Sequence, residues 1–136
     1  MTSTGSRAAV VALGAYLALV LAVTLVPVPG GPHELNLVPT EGIRRTYQDK
    51  GSAFGTVQVV GNLLMLAPAG ALLRFAFPRF RLRDAALAAA ALSIGIELVQ
   101  WQVAIGRAAD IDDVWMNTLG AAVGHAAGAG VASRLR

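Results

Sequence analysis

The sequence contains no cysteine. That excludes a disulfide scaffold, a thiolate zinc site and a cysteine nucleophile. It is also short of charge. Only 14% of its 136 residues are Asp, Glu, Lys or Arg, against about 25% in an average soluble domain. A small domain has much surface for its volume and needs charge to solvate it, so the shortage argues against an ordinary soluble enzyme. Hydrophobic residues make up 55% of the chain, the opposite of the balance that sustains disorder. No glycine loop of the phosphate-cradling type is present. No serine stands near a histidine and an acid as a hydrolytic triad requires. No internal repeat breaks the chain into units, so residues 1–136 read as one domain.

What is present is apolar length. Residues 8–26, 53–73 and 114–132 are uncharged, and residues 85–105 carry one charge, at Glu97. A membrane-crossing helix needs about 20 mostly apolar residues. The runs are rich in Ala and Leu and do not alternate, so helices are expected rather than strands. The prediction is an all-α membrane bundle of four transmembrane helices. The first run is longer than the apolar core of a cleaved leader, about 7–15 residues. Pro27, Val28 and Pro29 follow it without a small-x-small step, and it reads as a retained anchor.

The net charge of +3 and the pI near 10.2 would suggest nucleic acid in a soluble protein. Here they point to a bilayer, with basic residues sorted to one side. With the N-terminus inside, Arg7, Arg74, Arg79, Arg81, Arg83, Arg134 and Arg136 are cytoplasmic. Arg44, Arg45, Lys50 and Arg107 are external. The bias places both termini in the cytoplasm of a multi-pass protein. The loop 27–52 is then external. Thr40 is positioned to cap a short helix through Lys50. Glu41 with Arg45, and Arg45 with Asp49, are spaced to pair on one face. Ile43 and Tyr47 share a face that can rest on the lipid interface. His33 reads as a solvated loop residue.

The last three runs carry polar or small stripes at helical spacing. These are Gln58, Asn62 and Ala69; Ser93, Glu97 and Gln100; and Asp113, Asn117, Gly120, Gly124 and Gly128. Lipid cannot satisfy such groups, so they should face the bundle interior. At 1.5 Å per residue, Asn117 lies about 5 Å below the outer end of its span, Gln58 and Gln100 about 8 Å, Glu97 about 12 Å, Asn62 about 14 Å and His125 about 17 Å. The expectation is a polar notch open to the outside with Glu97 near its floor. Gly120, Gly124 and Gly128 let another helix approach closely, within the chain or in a partner. Pro68 frees the carbonyl of Leu64 and should kink the second span.

Glu97 is the most demanding residue, because a charge in mid-membrane costs about 2.5–3.5 kcal/mol even on insertion scales. It reads either as a ligand contact or proton acceptor, or as a structural hub joining Asn62 and Asn117. Asp110 or Asp112 can cap the fourth helix. Asp110, Asp112 and Asp113 are weak candidates for Mg²⁺ or Ca²⁺, and the spacing does not match an EF-hand. No cofactor and no nucleic-acid partner is expected.

These residues also carry a resemblance. Asn-Leu-Val-Pro at 36–39 and Gly-Asn-Leu-Leu-Met-Leu-Ala-Pro-Ala-Gly at 61–70 come first. Ser93, Glu97, Leu98 and Gln100 follow, leading to Gly106, Arg107, Asp110, Ile111, Asp112 and Asp113, then Asn117 through Ala121 and Gly124. In this order the chain resembles the VanZ-like family of small bacterial membrane proteins. It departs from that pattern at Thr40, Leu66, Ala69 and His125. The resemblance implies a bacterial inner-membrane protein of the cell envelope. The family is named for a member associated with resistance to the glycopeptide teicoplanin.

Three functions compete. The favoured one is a non-enzymatic protein whose outward notch binds an envelope amphiphile or lipid-linked headgroup. Asn62, Glu97, Gln100, Arg107, Asp110, Asp112, Asp113 and Asn117 would line it. The second is an enzyme on a lipid-linked substrate, with Glu97 as acid or base and the three aspartates on a metal. The third is an assembly subunit that binds a partner helix through Gly120, Gly124 and Gly128.

Overall fold

A computed structural model describes residues 3–29, 31, 33–103, 106 and 108–134. The chain is mostly helical. In order it forms α1 (Ser3–Thr24), β1 (Leu35–Asn36), α2 (Glu41–Lys50), α3 (Ser52–Met65), α4 (Ala67–Ala76), α5 (Leu82–Gln102), β2 (Ala109–Asp110) and α6 (Ile111–Arg134). Among the described residues two stretches are long and apolar enough to cross a membrane, Ser6–Thr24 in α1 and Ser52–Ala76 across α3 and α4.

The second stretch is broken at Leu66, whose φ of −103° and ψ of 0° interrupt the helix between α3 and α4. Pro68 falls in the first turn of α4, where its missing N–H costs least. The break disturbs the ladder around Met65, and Tyr16 of α1 donates its hydroxyl to the Met65 carbonyl at 2.8 Å. The kink expected from Pro68 is thus present, and a neighbouring helix satisfies a carbonyl beside it.

α6 is the central helix, packing against α3, α4 and α5, while α1 packs on α4. α6 runs parallel to α3 and α4, because Gly120 faces Leu63, Gly124 faces Ala67 and Gly128 faces Ala71. A Cβ at Gly120 would fall 1.9 Å from the Leu63 carbonyl oxygen, and one at Gly124 would fall 1.9 Å from that of Ala67. These are backbone contacts that no rotamer change can relieve. The glycine stripe is therefore covered by the chain's own α3 and α4.

The packing inverts the rule for soluble helices. α5 buries Ser93, Glu97 and Gln100 and exposes Leu87, Ile94 and Leu98. α6 buries Asp112, Asn117 and His125 and exposes Leu119, Val123 and Val131. Inside the bundle Asn117 donates to Ser93 and Gln100 to the Thr24 carbonyl, while branched apolar chains point away.

Most of the arginines gather at one end of the bundle. Ser6 of α1 donates to the carbonyl of Ala76 at the end of α4 (3.0 Å), which brings the start of α1 beside the end of α4. Arg7, Arg74, Arg79, Arg81, Arg83 and Arg134 lie at or next to helix termini at this end. The opposite end holds β1, α2 and β2. There Leu35 pairs with Ala109, and Asn36 with Asp110, as a two-residue parallel bridge between loops. Sequence periodicity predicts no such pairing, because it joins two short polar segments.

Gly124→Leu should lower the thermal unfolding midpoint in mild detergent or prevent folding outright. Overpacking costs about 1–3 kcal/mol even where side chains can adjust, and here the obstacle is backbone. Gly61→Leu is the control, because a Cβ at Gly61 meets nothing within 4 Å. Equal stability of the two variants would contradict the close helix approach.

Candidate functional site

The acidic end is organised by the start of α6. Asp110 precedes the helix, and its Oδ1 accepts the N–H of Asp112 at 2.9 Å, an N-cap bond. The same oxygen accepts from Nδ2 of Asn36 at 3.0 Å, which holds β1 to β2. The Asp110 N–H donates to Oε2 of Glu97 at 2.8 Å. Gly42 of α2 presses on this carboxylate so closely that a Cβ there would fall 1.7 Å from Oδ2 of Asp110. Burial pushes the Asp110 carboxyl above its ordinary value, against the opposing effect of its hydrogen bonds.

Asp112 performs a second capping task at a distance. It is 1% exposed. Its Oδ1 accepts the Thr40 N–H at 2.6 Å and its Oδ2 the Ile43 N–H at 3.1 Å. Trp115 donates its indole N–H to Oδ1 at 2.9 Å. Two orphan donors at the start of α2 are thus satisfied from another helix. This corrects the expectation that Thr40 caps α2 with its own side chain. Thr40 has a φ of 68° and makes no side-chain cap bond. A non-glycine residue in that region costs about 1–2 kcal/mol, and the Asp112 clamp holds it there.

α2 then lies over α3. Tyr47 packs on Gly55, and its hydroxyl pairs with Thr56 at 3.1 Å. The Tyr47 face expected to rest on lipid is thus partly taken up by α3. Glu41 pairs with Arg44 at 2.7 Å and with Arg45 at 2.8 Å. Arg44 and Arg45 together hold its carboxyl down at about 2. The Arg45 guanidinium also reaches Glu34 at 3.5 Å, a partner other than the expected Asp49. His33 is not merely solvated, since its ring stacks on Trp101 with centroids 6.0 Å apart.

Between α2, α3 and the two bridge strands lies a cleft of about 530 Å³. Asn62, Gln100, Asp110 and Asp113 line it, as the sequence pattern anticipates. So do Arg45 and Lys50 of α2, together with Glu34, Asn36 and Gln58. Asn62 donates to Asp113, and Thr46 donates to Gln58 at 3.3 Å. Gln100 donates to the Thr24 carbonyl at 2.7 Å, tying α5 to the end of α1.

Other anticipated residues fall elsewhere. Glu97 is 7% exposed and borders a shallow apolar groove with Leu35 and Leu98, not the cleft. The expectation that it forms the notch floor is corrected: it is drawn to the Asp110 amide, where the returning loop brings an N–H to it. Asp112 is absorbed in the α2 clamp. Asn117 donates to Ser93 Oγ at 2.9 Å inside the bundle. Arg107 lies outside the described residues. The three aspartates serve different partners, and no group of three or more metal-ligating side chains converges among the described residues. Arg45, Lys50 and Glu34 were not anticipated as site residues, because an exposed amphipathic helix and its loop give no sign of what they cover. Asn36 was legible as part of a motif, and Gln58 as part of a stripe.

The family model VanZ/LLP1 matches residues 13–131, which is most of the chain and spans the whole site. The chain belongs to that family. No curated protein and no solved structure matches it.

Two outcomes are expected. Asp112→Ala should destabilise the protein by about 1.5–3 kcal/mol or more, the worth of hydrogen bonds to a charged acceptor. It should also speed hydrogen exchange at the Thr40 and Ile43 amides selectively. Uniform exchange across the chain would contradict the clamp. Asp110→Asn keeps a capping oxygen but removes the buried charge. A raised folded-state value penalises the ionised form, so the penalty is absent below the unfolded value and complete above the folded one. Wild type should therefore lose stability relative to Asp110→Asn as pH rises through that window.

Proposed function

We propose that this member of the VanZ/LLP1 family is a four-span protein of the bacterial inner membrane with both termini cytoplasmic. Its acidic-end cleft would bind the polar headgroup of an envelope amphiphile. Lengths of about 32 Å for α5 and 36 Å for α6 match a hydrocarbon core of about 30 Å. Their exposed leucines, isoleucine and valines and their buried acids and amides favour lipid as the surrounding medium. The grouping of arginines at the other end favours that end as cytoplasmic.

The observation that carries the binding reading is the cleft itself. Side chains from α2, α3, α5, α6 and both bridge strands converge on it. Three carboxylates, Glu34, Asp110 and Asp113, meet two cations, Arg45 and Lys50. Arg45 is already engaged by Glu41 and Glu34. Carboxylate oxygens of Glu34 and Asp110 and the Gln100 side-chain oxygen line the cleft as hydrogen-bond acceptors. The cleft suits a headgroup rich in donors, such as sugar hydroxyls or an ammonium group. On this reading any effect on glycopeptide susceptibility follows from binding an envelope lipid.

The test is native mass spectrometry of the protein purified in mild detergent, beside Gln58→Ala with Lys50→Gln. Wild type should retain a lipid with a hydroxyl- or ammonium-bearing headgroup, and the variant should lose it. Identical bulk phospholipids on both proteins would overturn the cleft as a binding site.

A further inference from the structure

The end of the bundle opposite the cleft is formed by the start of α1, the turn from α4 to α5 and the end of α6. Among the described residues it carries six arginines and a single carboxylate, Asp84. The cleft half carries the other seven acids against Arg44, Arg45 and Lys50. The turn itself runs Phe77-Pro78-Arg79-Phe80-Arg81 and is held by its own hydrogen bonds. The Phe77 N–H donates to the Leu73 carbonyl at 2.8 Å, and the Phe80 N–H to that of Phe77 at 3.0 Å. The Arg74 guanidinium donates to the Pro78 carbonyl. Asp84 accepts the Arg81 N–H at 2.9 Å and pairs with Arg83 at 3.4 Å. Asp84 is thereby committed, and Arg79 and Arg81 meet no carboxylate among the described residues. Phe77 and Phe80 are exposed, with ring centroids 5.4 Å apart. With Ala76, Pro78 and Arg79 they border an open crevice of about 350 Å³.

We propose that this turn binds anionic phospholipid, with the phosphate held by Arg79 and Arg81 while Phe77 and Phe80 rest among the glycerol and upper acyl-chain atoms. The inference rests on the membrane reading of the bundle and is independent of what the cleft binds. Depth selects the partner. Leu82 is 50% exposed and Leu87 68%, so α5 turns apolar side chains outward from its first residue, and again about 8 Å further on at 1.5 Å per residue. The arginines therefore stand where the lipid-facing surface begins, which is the level of the headgroups. Two uncovered phenylalanines alternate with them. Rings and charges within one five-residue turn fit a boundary that is apolar on one side and charged on the other. A water-soluble polyanion would meet the arginines but leave the rings and Leu82 in water. Arginine suits phosphate because its planar fork can donate two parallel hydrogen bonds to it. A zwitterionic lipid carries its own cation beside the phosphate, whereas phosphatidylglycerol presents a net negative charge. An end with one carboxylate against six arginines discriminates in favour of the anionic class.

The full chain, purified in mild detergent, is titrated at low ionic strength with equal amounts of phosphatidylglycerol and phosphatidylcholine of identical acyl chains. Bound lipid is read by native mass spectrometry. Wild type should retain phosphatidylglycerol in preference. Arg79→Gln should lower that preference about fivefold, and adding Arg81→Gln about fivefold again, the worth of one basic residue near an anionic surface. Arg79→Lys with Arg81→Lys keeps the charge and should keep most of the preference, which separates the charge from a structural loss. Arg44→Gln, the same charge change at the opposite end, should leave the preference as it is. Unchanged selectivity in the double Gln variant, at the unfolding midpoint of wild type, would overturn the site. An equal loss from Arg44→Gln would do so too, because the effect would then be one of net charge. Lipid retained by wild type without headgroup preference overturns this inference and leaves the membrane reading standing. A wild-type chain that holds neither lipid and stays monodisperse without detergent overturns both. A single-stranded oligonucleotide bound more tightly than phosphatidylglycerol, and lost in the double Gln variant, would overturn the lipid and give the turn a soluble polyanion as its partner.

Discussion

Asp112 carries its carboxylate at a depth where water does not reach it, and its oxygens take N–H groups from Thr40, Ile43 and Trp115. An ionised group buried this way is tolerated only when its lone pairs are occupied. The clamp therefore works in both directions. α2 needs the acceptor to begin, and the acceptor needs α2 to stay buried. With α2 held down, Gly42 meets Asp110, Tyr47 meets Gly55, and Arg45 and Lys50 come to overhang α3. Without it, the cleft would lose the wall that makes it a cleft.

Beneath that wall, the bundle depends on close backbone approach. Gly120 and Gly124 bring α6 against the carbonyls of Leu63 and Ala67, and small residues suit helices that cannot rely on water to drive them together. α1 is held differently. It leans on α4, donates from Ser6 and Tyr16 at two levels, and meets α5 mainly through Gln100 and Thr24. Two separate apolar crevices, of about 210 and 300 Å³, lie beside α1.

Much of the fold was legible as a pattern. The four apolar runs at 8–26, 53–73, 85–105 and 114–132 correspond to α1, α3 with α4, α5 and α6. The helix expected from Thr40 through Lys50 is α2, and Pro68 marks the break at Leu66. Of the site, Asn62 and Gln100 were legible because polar residues inside apolar runs are costly and must converge, and Asp110 and Asp113 because they form an acidic step just before the last run. Glu97 was singled out by the same rule, yet one partner is an amide thirteen residues along the chain that the returning loop presents to it. A rule about residue type finds the group that needs a partner but not the partner.

The amino-acid order alone therefore determined the long apolar helices and the family, because apolar length and spaced motifs are properties of the chain itself. Tertiary structure decided which acid does which task. Asp110, Asp112 and Asp113 are nearly adjacent in sequence, but one caps α6, one caps α2 and one meets Asn62. Those assignments depend on the direction each side chain takes from the first turn of α6, and on elements up to 74 residues away that turn to meet it.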